Sequence, residues 1–189
     1  MSESYRLWTA PNLLTVGRII LILPFLYFIY KGSYGLALLV FFIASITDFI
    51  DGYIARNFDQ HSPLGRLLDP AADKLLVTAA FIVMAIPRPG FASIPVWLAT
   101  AVVLRDIIIL AGSLIVYLIA KYKDFKPTRM GRVNTFLEMG LIVIFLLFHT
   151  LGLFTFLLPF CYLLVLLSVL VSGGEYILQG VTILKSKRA

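Results

Sequence analysis

Long apolar runs separated by short polar breaks organise this chain. Segments of about 20 mainly apolar residues can cross a bilayer as helices. Six such segments are present, at roughly 12–31, 35–56, 66–87, 94–120, 133–150 and 153–178. The breaks fall at Lys31-Gly32-Ser33, between Asn57 and Pro63, at Pro87-Arg88-Pro89-Gly90, between Lys121 and Gly131, and near Thr150 to Gly152. The last break is the weakest, because LFHTLGLF barely departs from its apolar surroundings. The pattern predicts an all-α integral membrane protein with six transmembrane helices. Ahead of the first segment, Tyr5, Leu7 and Trp8 are residues of the kind that settle at a membrane interface. They allow either a short amphipathic surface helix or a frayed tail.

Composition narrows the class. Of 189 residues, 60% are hydrophobic and 14% charged, and the mean hydropathy is +0.96. Soluble domains carry about a quarter charged residues. The apolar runs recur along the whole length, which predicts one membrane domain over residues 1–189 and excludes a soluble domain on a single anchor. Arg18 interrupts the early part and no small-residue cleavage site follows it, so the start does not read as a cleaved signal peptide. Without an Arg- and Ser-rich leader ahead of the first segment, a bacterial inner membrane is the expected location. A lone Cys161 excludes a disulfide framework or a cysteine metal site.

The net charge of +6 is spread as membrane topology requires, which favours anionic lipid and argues against nucleic acid as partner. The loops after the first, third and fifth segments carry only Lys31 and Arg88. The two termini and the remaining loops carry Arg6, Arg18, Arg56, Arg66, Lys121, Lys123, Lys126, Arg129, Arg132, Lys185, Lys187 and Arg188. Lys and Arg mark the cytoplasmic side, so both termini and the loop between the second and third segments are predicted to be cytoplasmic.

Four aspartates break the apolar background at helical spacing: Asp48 and Asp51 late in the second segment, Asp69 and Asp73 early in the third. Carboxylates at membrane depth are costly and mark functional sites. Residues three or four apart share a helix face, so each pair points one way, and Gly65, Asp69 and Asp73 form one row. Clustered like charges need neutralising, and hard divalent cations with oxygen ligands do this well. Two Mg²⁺ or Mn²⁺ ions are therefore expected at the cytoplasmic face. Gly52 and Gly65 allow a ligand to approach the backbone closely, and Arg56 suits a phosphate. Two other readings stand beside this one. The aspartates are structural ion-pair partners of Arg56, Arg66 and Lys74, or they line a divalent-cation transporter. Against the latter, transporter sites lie near the midplane on broken helices.

The string D-x-x-D-G-x-x-A-R, eight residues, then G-x-x-x-D-x-x-x-D is complete in Asp48, Asp51, Gly52, Ala55, Arg56, Gly65, Asp69 and Asp73. It resembles the signature of the CDP-alcohol phosphatidyltransferase family. The resemblance implies a six-helix membrane core, a homodimer, and transfer of a phosphatidyl group from CDP-diacylglycerol to an alcohol with release of CMP. It also implies that Asp48, Asp51, Asp69 and Asp73 hold the metal ions and that Asp73 is the general base. Asp48, Gly52, Ala55, Arg56 and Gly65 would contact the cytidine diphosphate. Direct displacement is expected, because no serine or cysteine has a base at useful spacing, and His61 and His149 are poorly placed.

The acceptor is read from later segments. Arg105, inside the fourth segment, with Arg129 and Arg132, forms a candidate basic pocket for an anionic acceptor; its plainer reading is an ion pair of Arg105 with Asp106, Glu138 or Glu175. PNLLTVGRI and LLDPAADKLLV are similar to members that accept a glycerol-containing alcohol. The choice between glycerol 3-phosphate and phosphatidylglycerol is close to even, with inositol phosphate or serine as further alternatives. Leu104-Arg105-Asp106 and Gly131-Arg132-Val133-Asn134-Thr135 lack two positive charges relative to the glycerol 3-phosphate branch and resemble the cardiolipin synthases.

Overall fold

The computed structural model describes residues 10–58, 65–120 and 128–186; at 10–16, 18–19, 48–58, 65–73, 114–120 and 184–186 it describes the backbone alone. Every regular element among the described residues is helical. The helices are α1 (Ala10–Tyr30), α2 (Tyr34–Phe58), α3 (Gly65–Ala85), α4 (Val96–Ala120), α5 (Arg129–Leu151) and α6 (Leu158–Ser186), with a 3-10 turn at Thr155–Leu157 before α6. They coincide with the six apolar runs, and the differences lie at the ends. The predicted interfacial helix around Tyr5, Leu7 and Trp8 lies outside the described residues.

Two ends moved for visible reasons. α5 begins at Arg129, four residues before the apolar run, because Thr128 caps it: its Oγ1 accepts the Gly131 backbone N–H at 2.9 Å. Arg129 and Arg132 are thus helical rather than part of a leading loop. α6 continues to Ser186, because its apolar stretch runs on to Ile183. At the weak fifth break, Gly152 (φ 66°) and Phe154 (φ 60°) are left-handed and turn the chain without polar residues.

The chain divides into two compact units, residues 1–93 with 146–151, and residues 94–145 with 152–189. In the first, α1 packs against both α2 and α3. Ile22, Phe25 and Ile29, then Ala37, Phe41 and Ala44, then Val77, Ala80, Phe81 and Met84 are buried at three- and four-residue intervals. The Phe25 and Phe41 rings meet at 5.6 Å. The turn after α1 is clasped by the segment after α3. Arg88 donates to the carbonyls of Ile29, at 3.1 Å, and Tyr30, which close α1, and its guanidinium lies over the Tyr30 and Phe91 rings. The Tyr34 hydroxyl accepts the Ala92 N–H at 2.8 Å. Gly32 has φ 71°, and a Cβ there would overlap the Phe91 ring, so glycine is required twice over.

In the second unit α4 packs against α6. The inner stripes of its three helices change character along their length. They are apolar at Leu98 and Val102, at Leu141, Ile142 and Phe145, and at Leu158, Tyr162, Val165 and Val169. They then turn polar at Arg105 and Asp106, at Asn134 and Glu138, and at Ser172, all buried. Outward faces are strongly apolar: Phe136 and Phe156 are each 75% exposed. Such exposed apolar surface fits hydrocarbon and not water. Among the described residues, α4, α5 and α6 contain stretches long and apolar enough to cross a membrane, and shorter apolar stretches occur at Ile20–Tyr30, Tyr34–Thr47 and Lys74–Ala85. This is an all-α integral membrane protein.

Candidate active site

The aspartate motif occupies two helix ends. Asp48, Asp51, Gly52, Ala55 and Arg56 fall in the last turns of α2, and Gly65, Asp69 and Asp73 in the first turns of α3. Their side chains lie outside the described residues, and so does any contact between them. The helical backbone preserves the register read from the spacing. At 1.5 Å per residue, Gly65 to Asp73 is a row about 12 Å long. The six residues between Phe58 and Gly65 reach about 25 Å at full stretch, less than the roughly 30 Å hydrocarbon core. Both motif halves therefore end on the same membrane face. Just before Asp48, Ser45 and Thr47 return their hydroxyls to the Phe41 and Ala44 carbonyls, which keeps α2 intact as it becomes polar.

As a donor set, two carboxylate pairs at i, i+3 and i, i+4 have the oxygen chemistry that suits hard divalent cations such as Mg²⁺ or Mn²⁺. Among the residues whose side chains are described, no group of three or more His, Cys, Asp and Glu assembles.

The second unit carries Arg105, Arg129 and Arg132. Arg105 is 5% exposed. Its Nη1 donates to Asp106 Oδ1 at 2.8 Å and its Nη2 to Ser172 Oγ at 2.5 Å. Its guanidinium lies 5.8 Å from the centre of the Tyr176 ring. The Tyr176 hydroxyl in turn accepts the Thr128 N–H at 3.4 Å, at the start of α5. Thus Tyr176 has Arg105 on its face and the α5 N-terminus at its tip. Arg129 and Arg132, in the first turn of α5, are exposed. Among the described residues no hydrogen bond or ion pair joins either to Arg105. The ion-pair reading of Arg105 holds for Asp106, and the remaining hydrogen-bonding capacity of the guanidinium goes partly to Ser172.

Beside this pair runs a second polar chain. Ser168 Oγ donates to Asn134 Oδ1 at 2.7 Å, and Asn134 Nδ2 donates to Glu138 Oε1 at 2.6 Å. Ser168, Ser172 and Tyr176 escaped the sequence reading. Their signal was present: Ser168, Ser172, Glu175 and Gln179 fall at i, i+4, i+7 and i+11 and form one face of α6.

The sequence model of the CDP-alcohol phosphatidyltransferases matches residues 8–173. This chain belongs to the CDP-alcohol phosphatidyltransferase family. Named relatives agree. The chain is 34% identical over 147 residues to the CDP-diacylglycerol–glycerol-3-phosphate 3-phosphatidyltransferase of Cereibacter sphaeroides, covering 74% of this chain and 64% of that protein. It is 35% identical over 151 residues to the human cardiolipin synthase (CMP-forming), covering 71% of this chain and 49% of that protein. It is 36% identical over 140 residues to a second CDP-diacylglycerol–glycerol-3-phosphate 3-phosphatidyltransferase, from Rickettsia felis, covering 72% of this chain and 74% of that protein. The match to the CDP-alcohol phosphatidyltransferases takes in both the aspartate motif and the polar stretch from Arg105 to Ser172.

Proposed function

We propose that this protein transfers the phosphatidyl group of CDP-diacylglycerol to a hydroxyl of a glycerol-containing acceptor and releases CMP. The acceptor is glycerol 3-phosphate or phosphatidylglycerol, the alternatives suggested by the names of its relatives. The observation that carries the reading is the complete eight-position motif, in helical register on α2 and α3 of a chain that belongs to this family.

In this mechanism Asp48, Asp51, Asp69 and Asp73 would hold two divalent ions, which would supply neutralisation of the charge that develops during the transfer. Asp48, Gly52, Ala55, Arg56 and Gly65 bind the cytidine diphosphate portion, with Arg56 on a phosphate. Asp73 takes the proton of the acceptor hydroxyl. The oxygen forms its bond to the lipid-bearing phosphorus as the pyrophosphate P–O bond breaks, and CMP carries away the electron pair. Arg105, Arg129 and Arg132 receive the anionic acceptor. Residues 1–189 act as one domain with six crossings, both termini and the motif on the cytoplasmic side of a bacterial inner membrane, in a homodimer.

The test is an assay of purified protein with labelled CDP-diacylglycerol and Mg²⁺ or Mn²⁺, supplying glycerol 3-phosphate, phosphatidylglycerol, inositol phosphate or serine separately. CMP release with a labelled glycerophospholipid product is expected. Absence of product with every acceptor, together with divalent-ion flux into liposomes, would replace the transferase reading with transport.

A further inference from the structure

Among the described residues, the polar atoms of the second unit that are buried without a hydrogen-bond partner include Nε of Arg105, Oε2 of Glu175 and Oε1 of Gln179. Buried polar groups in folded proteins are almost always matched, and an unmatched set calls for a physical account. These three are not scattered. Ser172, Glu175 and Gln179 lie on one face of α6, and Arg105 docks on that face through Ser172 at 2.5 Å, with Tyr176 against its guanidinium. The chain at Gly173 also runs close to Arg105, whose Cγ would be 3.8 Å from a Cβ placed there. Glu175 follows Ser172 by one turn and Gln179 by two. The face thus presents one unused N–H donor followed by two unused oxygen acceptors. A ligand that suits it accepts one hydrogen bond and donates at least one, as a phosphate ester with a free hydroxyl beyond the reacting one does.

Charge narrows the ligand further. Arg105 is already balanced by Asp106 at 2.8 Å, and Glu175 adds a carboxylate to the same stripe. A phosphate monoester brings nearly two negative charges near neutral pH, whereas a phosphodiester brings one. Like charges in a partly desolvated site discriminate strongly against the wrong partner.

We propose that Glu175 and Gln179, with Nε of Arg105, hold the acceptor's headgroup and select a glycerol phosphodiester with free hydroxyls over glycerol 3-phosphate. The inference rests on the transferase reading above and adds the specificity-determining residues and the acceptor class. Nε donates to the phosphodiester oxygen, and the glycerol hydroxyl that does not react donates to Oε1 of Gln179, while the carboxylate of Glu175 acts by its charge and the reacting hydroxyl stays free for proton transfer. These two α6 residues are positioning residues and take no part in proton transfer.

The experiment uses the full chain in nonionic detergent micelles with CDP-diacylglycerol, comparing phosphatidylglycerol with glycerol 3-phosphate for the wild type, Glu175→Gln, Gln179→Leu and Gln179→Glu. The wild type is expected to favour phosphatidylglycerol in kcat/KM by about tenfold or more. Glu175→Gln, which keeps the shape and removes the charge, should narrow that preference by raising use of glycerol 3-phosphate. Gln179→Leu should raise the KM for phosphatidylglycerol several-fold with kcat little changed, and Gln179→Glu, which retains an acceptor oxygen, should restore it. A merely structural role would move the thermal midpoint and leave the acceptor ratio alone. The proposal is overturned if the wild type favours glycerol 3-phosphate, or if Glu175→Gln leaves both the ratio and the KM values unchanged. That reading stands on Glu175→Gln even where Gln179→Leu does not fold. No CMP release with either acceptor would overturn the transferase reading itself, an outcome distinct from turnover with an unaltered preference.

Discussion

Ser168 and Ser172, one turn apart on α6, reach different helices: Ser168 donates to Asn134 of α5 at 2.7 Å and Ser172 receives Arg105 of α4 at 2.5 Å. Two small hydroxyls thereby tie three helices together at the level where their inner faces turn from apolar to polar. In hydrocarbon such interhelical hydrogen bonds contribute modestly to association, about 0.6–2 kcal/mol each. Their larger effect is to set rotation and depth, because an unmatched polar group there has no water to turn to.

Arg105→Lys tests this arrangement. A lysine keeps the charge but has no planar fork to reach Asp106 and Ser172 together. The expected outcome is a rise of about tenfold or more in the acceptor KM, with a loss of roughly 1–3 kcal/mol in stability from the stranded partners. Steady-state kinetics and thermal unfolding in detergent read the two effects separately. An unchanged KM would remove Arg105 from the acceptor pocket.

Asp73→Asn keeps size and polarity and removes the proton acceptor. Transfer should fall by at least about a hundredfold, the usual scale for losing a general base. Binding of CDP-diacylglycerol and the unfolding midpoint should be largely retained. Near-normal turnover in this variant would refute the base role.

Chelation by EDTA should abolish transfer, and excess Mg²⁺ or Mn²⁺ should restore it. Carboxylates on α2 and α3 without cations would also repel one another, so the unfolding midpoint should drop on chelation and recover with the metal. Full activity in chelator would rule out the two-ion site.

Gly32→Ala addresses the clasp between the ends of α1 and α3. The position has φ 71°, and the new methyl would overlap Phe91. An alanine there is strained on its own by about 1 kcal/mol, and displacing Phe91 adds to this by disturbing the Arg88 contacts with Tyr30. Thermal unfolding should show a clear destabilisation, while Gly90→Ala, also at positive φ but with nothing within 4 Å, should cost less. Equal losses at both positions would mean that backbone strain alone matters.

Much of the fold was legible because membrane insertion is a one-dimensional property. A run of apolar residues long enough to span the hydrocarbon is visible without knowing its neighbours, and all six runs became helices. The aspartate register was legible for the same reason, since helical spacing alone puts Asp48 beside Asp51 and Asp69 beside Asp73. An error came where the deciding group was a side chain acting locally against hydropathy. Thr128 starts α5 four residues early.

By itself, then, the amino-acid order determined the helices, their membrane character, the acidic motif on α2 and α3, and family membership, all of which depend on local composition and spacing. Only the tertiary structure decided that Arg105 meets Ser172, 67 positions away, that Tyr176 sits between Arg105 and the start of α5, and that Gly32 is covered by Phe91. The physical reason is that helices apolar on nearly every face carry no hydrophobic stripe to fix their rotation. In lipid that rotation is set by small residues and by polar side chains finding one another, and such pairings exist only once the helices have packed.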